Sequence, residues 1–160
     1  MSRREQLDEL RELLAVNAIT ADVSHETLVL DVAGDGFLGF AARMRDELGF
    51  DLLLDVTAVD WPQRSPRFDV VHHFYSSKRL VRVRTRQRVG IEAPSVASLV
   101  PLFGSARYME RECHDMYGIR FEGNSDLRPI LLYEGFEGHP LRKDYPKEKE
   151  QPLLPPRTEP

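Results

Sequence analysis

The sequence contains a single cysteine, Cys113, among its 160 residues. One thiol cannot form an internal disulfide, a thiolate zinc cluster or an all-cysteine iron–sulfur site, and its solitary presence favours a reducing compartment. Long apolar runs are absent as well, since the longest falls far below the roughly eighteen residues that a membrane span needs. Acidic and basic side chains are mixed in residues 1–10, which therefore do not resemble a signal peptide. We expect a chain that does not cross a bilayer.

An excess of positive charge is also missing. Lys and Arg number 22 and Asp and Glu number 26, which gives a formal net charge of −4. Domains that bind nucleic acid usually carry a strong positive excess, so no nucleic-acid partner is expected. The composition is 41% hydrophobic and 30% charged, as in ordinary globular proteins. A chain of this length buries roughly 70% of its unfolded surface, which is enough for one folded domain with or without a tail.

Apolar periodicity predicts an α+β fold with a mixed or antiparallel sheet, a hairpin and flanking helices. The expected helices are an N-terminal one with Leu7, Leu10, Leu14 and Ala18 on one face, residues 37–48 ended by Gly49, a short one from Ser95 to Pro101, and residues 106–117 ended by Gly118. The expected strands are residues 27–32, residues 51–59 with both faces buried, and a hairpin of residues 68–75 and 80–89.

We predict a single compact domain over residues 1–121, followed by an extended partner-wrapping segment and a proline-rich tail over residues 122–160. Periodicity fades after Phe121, and five of the 11 prolines lie in the last 15 residues. Such a tail has too little apolar area to offset the entropy lost on ordering. It is therefore either disordered or laid along another surface.

A glycine motif supports one functional hypothesis. Gly34, Gly36 and Gly39 form G-x-G-x-x-G between a strand and a helix, and Asp55 follows 21 residues after the first glycine. This arrangement is typical of a dinucleotide site, so a small dinucleotide-binding oxidoreductase is one alternative. Three observations oppose it. The preceding strand is half polar, two aspartates beside the glycines would repel a pyrophosphate, and the chain continues into a hairpin rather than another βαβ unit.

Residues 78–88 hold six basic side chains and no acid. Strand alternation places Arg82, Arg84, Arg86 and Arg88 on one face. Like charges on one face repel, so an acidic group is expected to lie opposite them. Two interpretations stay open: these arginines bind an acidic partner, or they form a solvated face that protects a sheet edge.

The histidines and the cysteine do not predict a metal site or a catalytic set. His72 and His73 are adjacent in a strand and point to opposite faces. Glu110 and His114 share a helical face, but two ligands fall short of a site. Cys113 lies in the apolar stripe of its helix, which predicts a core position rather than a nucleophile. On this chemistry alone the chain is a binding or scaffold subunit.

The helix at residues 106–117 carries charged residues around its apolar stripe. Arg111 and Asp115 are expected to pair at i, i+4 on the side opposite the stripe. Glu110 and Glu112 border the stripe on its two flanks, where they would meet basic or backbone donors. Such a rim fits either a solvated amphipathic helix or a protein–protein contact.

Three ordered blocks carry a family resemblance. They are residues 110–121 (ERECHDMYGIRF), 126–132 (DLRPILL) and 135–146 (GFEGHPLRKDYP). The blocks resemble the signature of the thirty-kilodalton subunit of respiratory complex I, which is the C subunit of the bacterial NADH–quinone oxidoreductase. Residues 53–60 (LLDVTAVD) and 67–72 (RFDVVH) are similar as well, so the likeness covers about residues 50–146.

The resemblance implies a compact α+β domain whose C-terminal extension wraps around the neighbouring forty-nine-kilodalton-type subunit. It implies a place in the peripheral arm near the quinone site, on the cytoplasmic face of the bacterial inner membrane, with membrane contact only through the complex. It also implies that this chain binds no cofactor itself, while iron–sulfur clusters, FMN, NADH and quinone belong to the complex.

The resemblance further implies that the motif residues contact the partner and have no catalytic role. These residues are Glu110, Arg111, Glu112, Asp115, Gly118, Asp126, Arg128, Gly138, His139, Pro140, Arg142, Lys143, Asp144 and Tyr145.

The sequence departs from the family pattern at a few positions. Asn124 and Ser125 replace a common His-Pro pair, and Pro129 stands where a second arginine is frequent, which would weaken one partner contact. Tyr108 and His114 occupy positions often filled by tryptophan or another large residue. Membrane-bound nickel–iron hydrogenases and formate hydrogenlyases contain a related subunit, so an equivalent role in such a complex is the alternative.

Overall fold

The computed structural model describes residues 3–15 and 18–148. In chain order its elements are α1 Arg3–Ala15, β1 Ala18–Ser24, β2 Thr27–Val32, α2 Phe37–Asp46, β3 Leu52–Asp60, β4 Phe68–Ser76, β5 Val81–Val89, β6 Ser95–Ala97, α3 Ala106–Tyr117 and β7 Arg120–Glu122. Residues 123–148, here named the C-terminal segment, contain neither helix nor strand. The predicted α+β class is confirmed, whereas the proline-rich tail from residue 149 onward lies outside the described residues.

A five-stranded mixed sheet with the order β1-β2-β5-β4-β3 forms the centre of the fold. Neighbouring strands are antiparallel except β2 and β5, which run parallel. The predicted hairpin is β4–β5, paired from Phe68 opposite Val89 to Ser76 opposite Val81. The short strands β6 and β7 form a separate parallel pair. None of the helices within residues 3–15 and 18–148 is long and apolar enough to span a membrane.

The hydrophobic core lies between one face of this sheet and the three helices. The helices contribute their apolar stripes, which include Leu7, Leu10 and Leu14 of α1, Phe37, Phe40, Ala41 and Met44 of α2, and Ala106 and Cys113 of α3. Alternate residues of β4 and β5 face them, because side chains along a strand point in turn to opposite faces. Each fully buried Leu or Phe stabilises the fold by about 1.5–3 kcal/mol.

The first sequence-based helix prediction is wrong in part, and the predicted helix from Ser95 to Pro101 is wrong. α1 ends at Ala15, and Ala18 begins β1 instead of continuing the helical face. β1 is an edge strand with mostly exposed residues, among them Ile19 at 72% exposure, so its sequence lacks the apolar alternation of a strand. Ser95 begins strand β6 rather than a helix, because it pairs with Arg120 of β7, a partner too far along the chain for a local pattern to reveal.

The prediction that residues 51–59 are buried on both faces is also wrong. β3 is the other edge strand of the sheet, and only one of its faces packs on the core. On the opposite face Leu52, Leu54 and Val59 are 45%, 40% and 38% exposed. A continuous apolar run does not reveal whether a strand lies inside a sheet or at its edge.

The predicted helix at residues 106–117 is confirmed as α3, which ends at Gly118 in the left-handed region with φ 72°. The second predicted helix is shorter than expected, since α2 ends at Asp46. Gly49 then adopts φ 75°, and the Phe50 amide donates to the Met44 carbonyl at 3.0 Å. A glycine is favoured at this position because other residues rarely adopt such a φ.

Candidate functional site

The C-terminal segment is attached to α3 and to the edge of the sheet by polar groups of the family blocks. Glu110 lies at the centre of one attachment and is fully buried. Its carboxylate accepts hydrogen bonds from the Leu99 amide at 2.7 Å, the Ser98 hydroxyl at 2.8 Å and the Asn124 side-chain amide at 3.0 Å. Burial raises the pKa of Glu110 above its ordinary value. The expectation that this flanking acid meets backbone donors is confirmed.

Asp115 holds the next part of the C-terminal segment. Its carboxylate is almost completely buried and accepts hydrogen bonds from the amides of Ile130, Leu131 and Leu132 at 2.7, 3.0 and 3.4 Å. Three successive N–H groups around one carboxylate form an anion-binding turn that fixes the backbone there.

Arg111 binds the same part of the segment from the neighbouring helical position. Its guanidinium donates to the carbonyls of Arg128 and Pro129 at 2.9 and 2.8 Å, and it lies 3.9 Å from the Asp126 carboxylate. The predicted i, i+4 pair between Arg111 and Asp115 is therefore wrong. Both side chains bind the backbone of a segment that sequence periodicity could not place beside α3.

Asp126 and Arg128 form a local ion pair at the surface of the segment. The Arg128 guanidinium donates two hydrogen bonds to the Asp126 carboxylate, at 2.7 and 3.0 Å, and they lower the pKa of Asp126 to about 2. The Arg128 side chain is 80% exposed. This end of the segment therefore presents a guanidinium whose position is fixed by Asp126 and which is accessible to another molecule.

The motif GHPLR caps the C-terminus of α3. The last carbonyls of a helix have no partner within the helix and carry its negative end charge. Here His139 Nδ1–H donates to the Asp115 carbonyl at 2.8 Å, the Leu141 amide to Met116 at 3.2 Å, and Arg142 Nε to Tyr117 at 2.7 Å. Burial lowers the pKa of His139, which is consistent with a neutral ring in this position.

Gly118 is required where the segment approaches the helix end. A Cβ atom at Gly118 would lie 2.6 Å from the Arg142 guanidinium and would overlap the His139 ring. Gly138 has φ 99°, and a Cβ atom there would lie 2.8 Å from the ring of Tyr145. Gly118 therefore allows the close contact between the end of α3 and the segment, and Gly138 allows a close contact with Tyr145 within the segment.

A second attachment joins the segment to the end of β3. The Asp60 carboxylate is buried and accepts two hydrogen bonds from Arg67, at 2.6 and 2.7 Å, and one from the Lys143 amide at 2.7 Å. Arg67 also donates to Asp144 at 2.8 Å. The hydrogen bonds from Arg67 lower the pKa of Asp60 and that of Asp144. The guanidinium groups of Arg67 and Arg142 both lie 5.3 Å from the centre of the Phe68 ring.

Asp60 and Arg67 were not among the predicted site residues, although both lie in the upstream segments that resemble the family. Their spacing of seven residues suggested no site, because they meet across a loop between two paired strands. The available signal was the family likeness of residues 53–60 and 67–72, since local chemistry did not distinguish these residues from other charged positions.

The remaining predicted site residues are mostly at the surface. Glu112, Lys143 and the Gly138 backbone are exposed, and Pro140 is half-buried beside Leu141. Tyr145 is half-buried and stacks on Phe136 with ring centres 6.1 Å apart. The structure thus brings thirteen of the fourteen predicted residues together on α3 and the C-terminal segment, while Glu112 faces away on the exposed side of α3.

The glycine motif lacks the geometry of a dinucleotide site. In such a site the strand after the glycine-rich helix lies beside the first strand and runs parallel to it. Here β3, which carries Asp55, is separated from β2 by both β5 and β4. The nearby Asp31 carboxylate already accepts bonds from Arg86 at 2.6 Å and Arg88 at 3.1 Å. The fold therefore does not support the dinucleotide hypothesis.

Two of the four arginines of β5 have an acid opposite them, as predicted. Arg86 and Arg88 pair with Asp31, and Arg88 also lies 4.0 Å from Asp69. The interpretation that these arginines protect a sheet edge is wrong, because β5 lies between β2 and β4 in the interior of the sheet.

The histidines and Cys113 have the structural positions that were expected. His72 is fully buried 4.8 Å from the Phe37 ring, and burial lowers the pKa of His72 to about 3, whereas His73 lies on the opposite face. His114 donates to the Ile119 carbonyl at 2.9 Å. Cys113 is 2% exposed, and burial raises its pKa far above the ordinary thiol value. Across residues 3–15 and 18–148, no group of three or more His, Cys, Asp or Glu is arranged to hold a metal ion.

The fold and the site together define a class of protein: an α+β domain that holds a long irregular segment on its last helix. Residues 30–151 match the family described as respiratory-chain NADH dehydrogenase, 30 Kd subunit. The chain belongs to this family, which confirms the resemblance found in the sequence.

Similar proteins carry the corresponding name. The chain is 45% identical over 130 residues to the NADH-quinone oxidoreductase C subunit of Agrobacterium fabrum, a match that covers 80% of this chain and 64% of that protein. It is 43% identical over 148 residues to the protein of the same name from Rhizobium johnstonii, covering 89% of this chain and 74% of that protein. The chain thus spans slightly less than two thirds of the Agrobacterium relative.

Two solved structures share the fold. One is the trypsin-resistant fragment (1-134) of Nqo5, with a TM-score of 0.67 and 28% identity, covering 79% of this chain and all of that fragment. The other is a chain in the structure of the membrane-bound sulfane sulfur reductase, an archaeal respiratory membrane complex. It has a TM-score of 0.78 and 25% identity, and covers 92% of this chain and 88% of that one.

Proposed function

We propose that this chain is a non-catalytic peripheral-arm subunit of a proton-translocating NADH–quinone oxidoreductase. In this role it holds the quinone-reducing module through contact with the forty-nine-kilodalton-type subunit, on the cytoplasmic face of the bacterial inner membrane. The iron–sulfur clusters, FMN, NADH and quinone are bound by other subunits of the complex. The names of the relatives support the assembly, and the geometry of the C-terminal segment supports the contact.

One observation carries the proposed contact: the backbone of the C-terminal segment is fixed while its large apolar side chains are exposed. Asp115 binds the amides of residues 130–132, yet Ile130 and Leu131 are 38% and 61% exposed. The Leu141 amide is bonded to Met116, and its side chain is 47% exposed. Apolar groups on a preorganised backbone lose little further entropy when a partner covers them.

The charged motif residues therefore act in two ways. The buried ones, such as Glu110 and Asp115, fix the conformation of the segment by hydrogen bonds within the chain. They affect the partner contact only indirectly, through the position of the segment. Exposed ones on the segment itself, such as Arg128 and Lys143, are available for polar contacts around the apolar side chains. A polar rim around an apolar centre is the usual composition of a subunit interface.

The test is affinity purification of the tagged chain from its native membranes, followed by mass spectrometry of the associated subunits. In the variant Leu131→Glu with Leu141→Glu, recovery of the forty-nine-kilodalton-type subunit should fall by about tenfold or more, since two carboxylates would be desolvated at the interface. The control is Ile19→Glu, which places a carboxylate at an exposed apolar position on β1. Equal loss in the control, or no loss in the double variant, would contradict the proposed contact.

An equivalent subunit of another respiratory membrane complex is the second candidate, and the similarity to a chain of the archaeal sulfane sulfur reductase structure favours it. A membrane-bound nickel–iron hydrogenase-type complex belongs to the same group of alternatives. The same purification separates the candidates by what is recovered with the tagged chain. NADH–quinone activity supports the first, and a hydrogenase or another reductase without NADH oxidation supports the second.

The dinucleotide alternative has a separate test. Purified full-length chain should not bind NADH in a calorimetric titration, and Gly36→Ala with Asp55→Ala should leave the activity of the complex unchanged. Tight binding that these substitutions abolish would reject the subunit proposal in its non-catalytic form.

A further inference from the structure

The face of the five-stranded sheet that points away from the helices, here named the open face, has no described element packed over it. All three helices lie on the other side, in the core. The side chains of the open face include Leu52, Leu54 and Val59 from β3, His73 and Tyr75 from β4, and Arg82, Arg84, Arg86 and Arg88 from β5.

At one end of the open face, carboxylates of the same chain neutralise the charge of the arginines. The Asp31 carboxylate accepts bonds from Thr20, Arg86 and Arg88. Asp69 at the start of β4 binds Trp61 Nε1 at 2.9 Å and the Arg64 guanidinium. Arg86 and Arg88 therefore have partners of their own and do not need an external acid.

The other end of the open face differs in its ion pairing. Within the described residues, no carboxylate oxygen lies within 4.0 Å of the guanidinium nitrogens of Arg82 or Arg84. Arg84 Nε is buried and has no hydrogen-bond acceptor among those residues. Asp55 stands opposite His73 on the neighbouring strand, and His73 in turn stands opposite Arg84. A buried donor without an acceptor is unfavourable, so an additional acceptor at this point would stabilise the protein.

The arginines continue into an apolar surface across the strands. Pairing aligns Leu52 of β3, Tyr75 of β4 and Arg82 of β5 in one row, and Leu54 lies in the β-bulge beside this row. Leu52 and Leu54 are 45% and 40% exposed. Aromatic residues and arginine beside exposed apolar side chains are the composition enriched at the centres of protein interfaces.

We propose that this part of the open face is a second surface for contact with a neighbouring subunit, and that it receives an acidic segment of another polypeptide of the assembly. The partner's carboxylates bind the guanidinium groups of Arg82 and Arg84, and its apolar side chains cover Leu52 and Leu54. This inference rests on the proposed membership in a multisubunit complex, but it concerns a surface separate from the C-terminal segment.

Other occupants fit the open face less well. A second copy of this chain in a two-fold contact would place the same arginines near one another, which is unfavourable. An anionic membrane surface attracts clusters of four to eight basic residues, whereas on the described open face only Arg82 and Arg84 lack an acid. An acidic polypeptide with apolar side chains satisfies both the charge and the apolar surface.

The experiment places a photoreactive benzophenone amino acid at Leu54 in the tagged chain, within the native complex in its membranes. Irradiation should cross-link it to a peptide of another subunit that contains at least two Asp or Glu residues. In the presence of Arg82→Gln with Arg84→Gln, the yield of this product should fall by about tenfold. The milder pair Arg82→Lys with Arg84→Lys should give an intermediate yield, because the charge is kept and the bidentate geometry is lost.

The matched control is Arg11→Gln with Arg107→Gln, which removes the same charge from two exposed arginines of α1 and α3. It should leave the cross-linking yield unchanged. Circular dichroism of the purified full-length variants checks that Arg82→Gln with Arg84→Gln has a melting temperature equal to that of the control.

Cross-links only to lipid, to a second copy of this chain, or to no polypeptide would overturn the proposal. So would a yield that Arg82→Gln with Arg84→Gln does not change. If the tagged chain without arginine substitutions purifies with no complex, the proposed function fails instead. If it purifies with the complex and Leu54 forms no cross-link, only the second contact surface is rejected.

Discussion

At the scale of single residues, the most informative feature of this protein is that charged motif residues bind its own backbone. Glu110 and Asp115 each accept three hydrogen bonds, and five of these six bonds come from backbone or side-chain amides. A buried acceptor of this kind matters for the free energy of unfolding mainly because its removal leaves buried donors without a hydrogen-bond partner. The conformation of the chain at these points therefore depends on individual carboxylates.

Glu110→Ala should lower the free energy of unfolding by about 2–4 kcal/mol, because the Leu99 amide is left buried without an acceptor and two side-chain bonds are lost. Urea denaturation of the purified chain at pH 7 measures the change. Glu112→Ala on the exposed side of the same helix is the control, and it should change the free energy of unfolding by less than about 0.5 kcal/mol. Equal effects at the two positions would contradict the role assigned to Glu110.

Two glycines should respond in opposite directions to the same substitution. Gly118→Ala should destabilise the chain by about 2 kcal/mol or more, since φ is 72° and a Cβ atom would overlap His139 and Arg142. Gly39→Ala should stabilise it by about 0.5–1 kcal/mol, because Gly39 lies in α2 with no atom within 4 Å of a Cβ position. Thermal denaturation of both variants shows whether each substitution raises or lowers the melting temperature. A stabilising Gly118→Ala would show that the segment does not contact the helix end as described.

At the scale of elements, the sheet and the C-terminal segment are joined through the end of β3. Asp60 and Asp144 share Arg67, but the Asp60 side chain is fully buried while the Asp144 side chain is 56% exposed. The same guanidinium therefore makes one buried ion pair and one exposed ion pair. Removing a partner from a buried pair leaves an uncompensated charge, whereas exposed pairs contribute little.

Asp60→Asn should lower the free energy of unfolding by about 3 kcal/mol at pH 7, and Asp144→Asn by less than about 1 kcal/mol. The pH dependence should differ as well. Because the pKa of Asp60 in the folded chain lies below its ordinary value of 3.8, its contribution is fully present above that value and is lost as the pH falls through the lower, folded-state pKa. Denaturation curves between pH 7 and pH 2 should thus show a shallower acid loss in Asp60→Asn. If the loss of stability at low pH were the same in Asp60→Asn as in the unsubstituted chain, the role assigned to the Asp60 carboxylate would be contradicted.

At the scale of the whole molecule, local patterns predicted what depends on a single element. Along β5, arginines such as Arg84 alternate with core residues such as Val83, and α3 has one apolar stripe that contains Cys113. The strand and the helix were therefore both predictable from sequence. The edge position of β3 was not predictable, because a strand exposes Leu52 or buries it according to which strands lie beside it. The partners of Asp115 were not predictable either, because they are amides of a segment that has no periodicity.

The sheet–helix core and the C-terminal segment are stabilised by different interactions, which predicts that they open separately. The sheet and helices share one hydrophobic core, whereas the C-terminal segment is held mainly by polar bonds to Asp115, to the end of α3 and to Asp60. Regions with few buried apolar contacts open locally at a lower free energy than the core. In the free chain, the amides of residues 130–132 should therefore exchange hydrogen faster than those of β4 and β5.

Hydrogen exchange followed by mass spectrometry tests this separation. Asp115→Ala should speed exchange in peptides that cover residues 128–133 by about tenfold or more, because three amides lose their acceptor, and should leave peptides of β4 and β5 unchanged. In the assembled complex the same peptides should become protected if the exposed apolar side chains of the segment are covered by a partner. Equal acceleration throughout the variant would mean that the segment and the sheet unfold as one unit. In that case the backbone of the segment would not be fixed independently of the sheet. Preorganised contact with a neighbouring subunit would then no longer explain why its leucines are exposed.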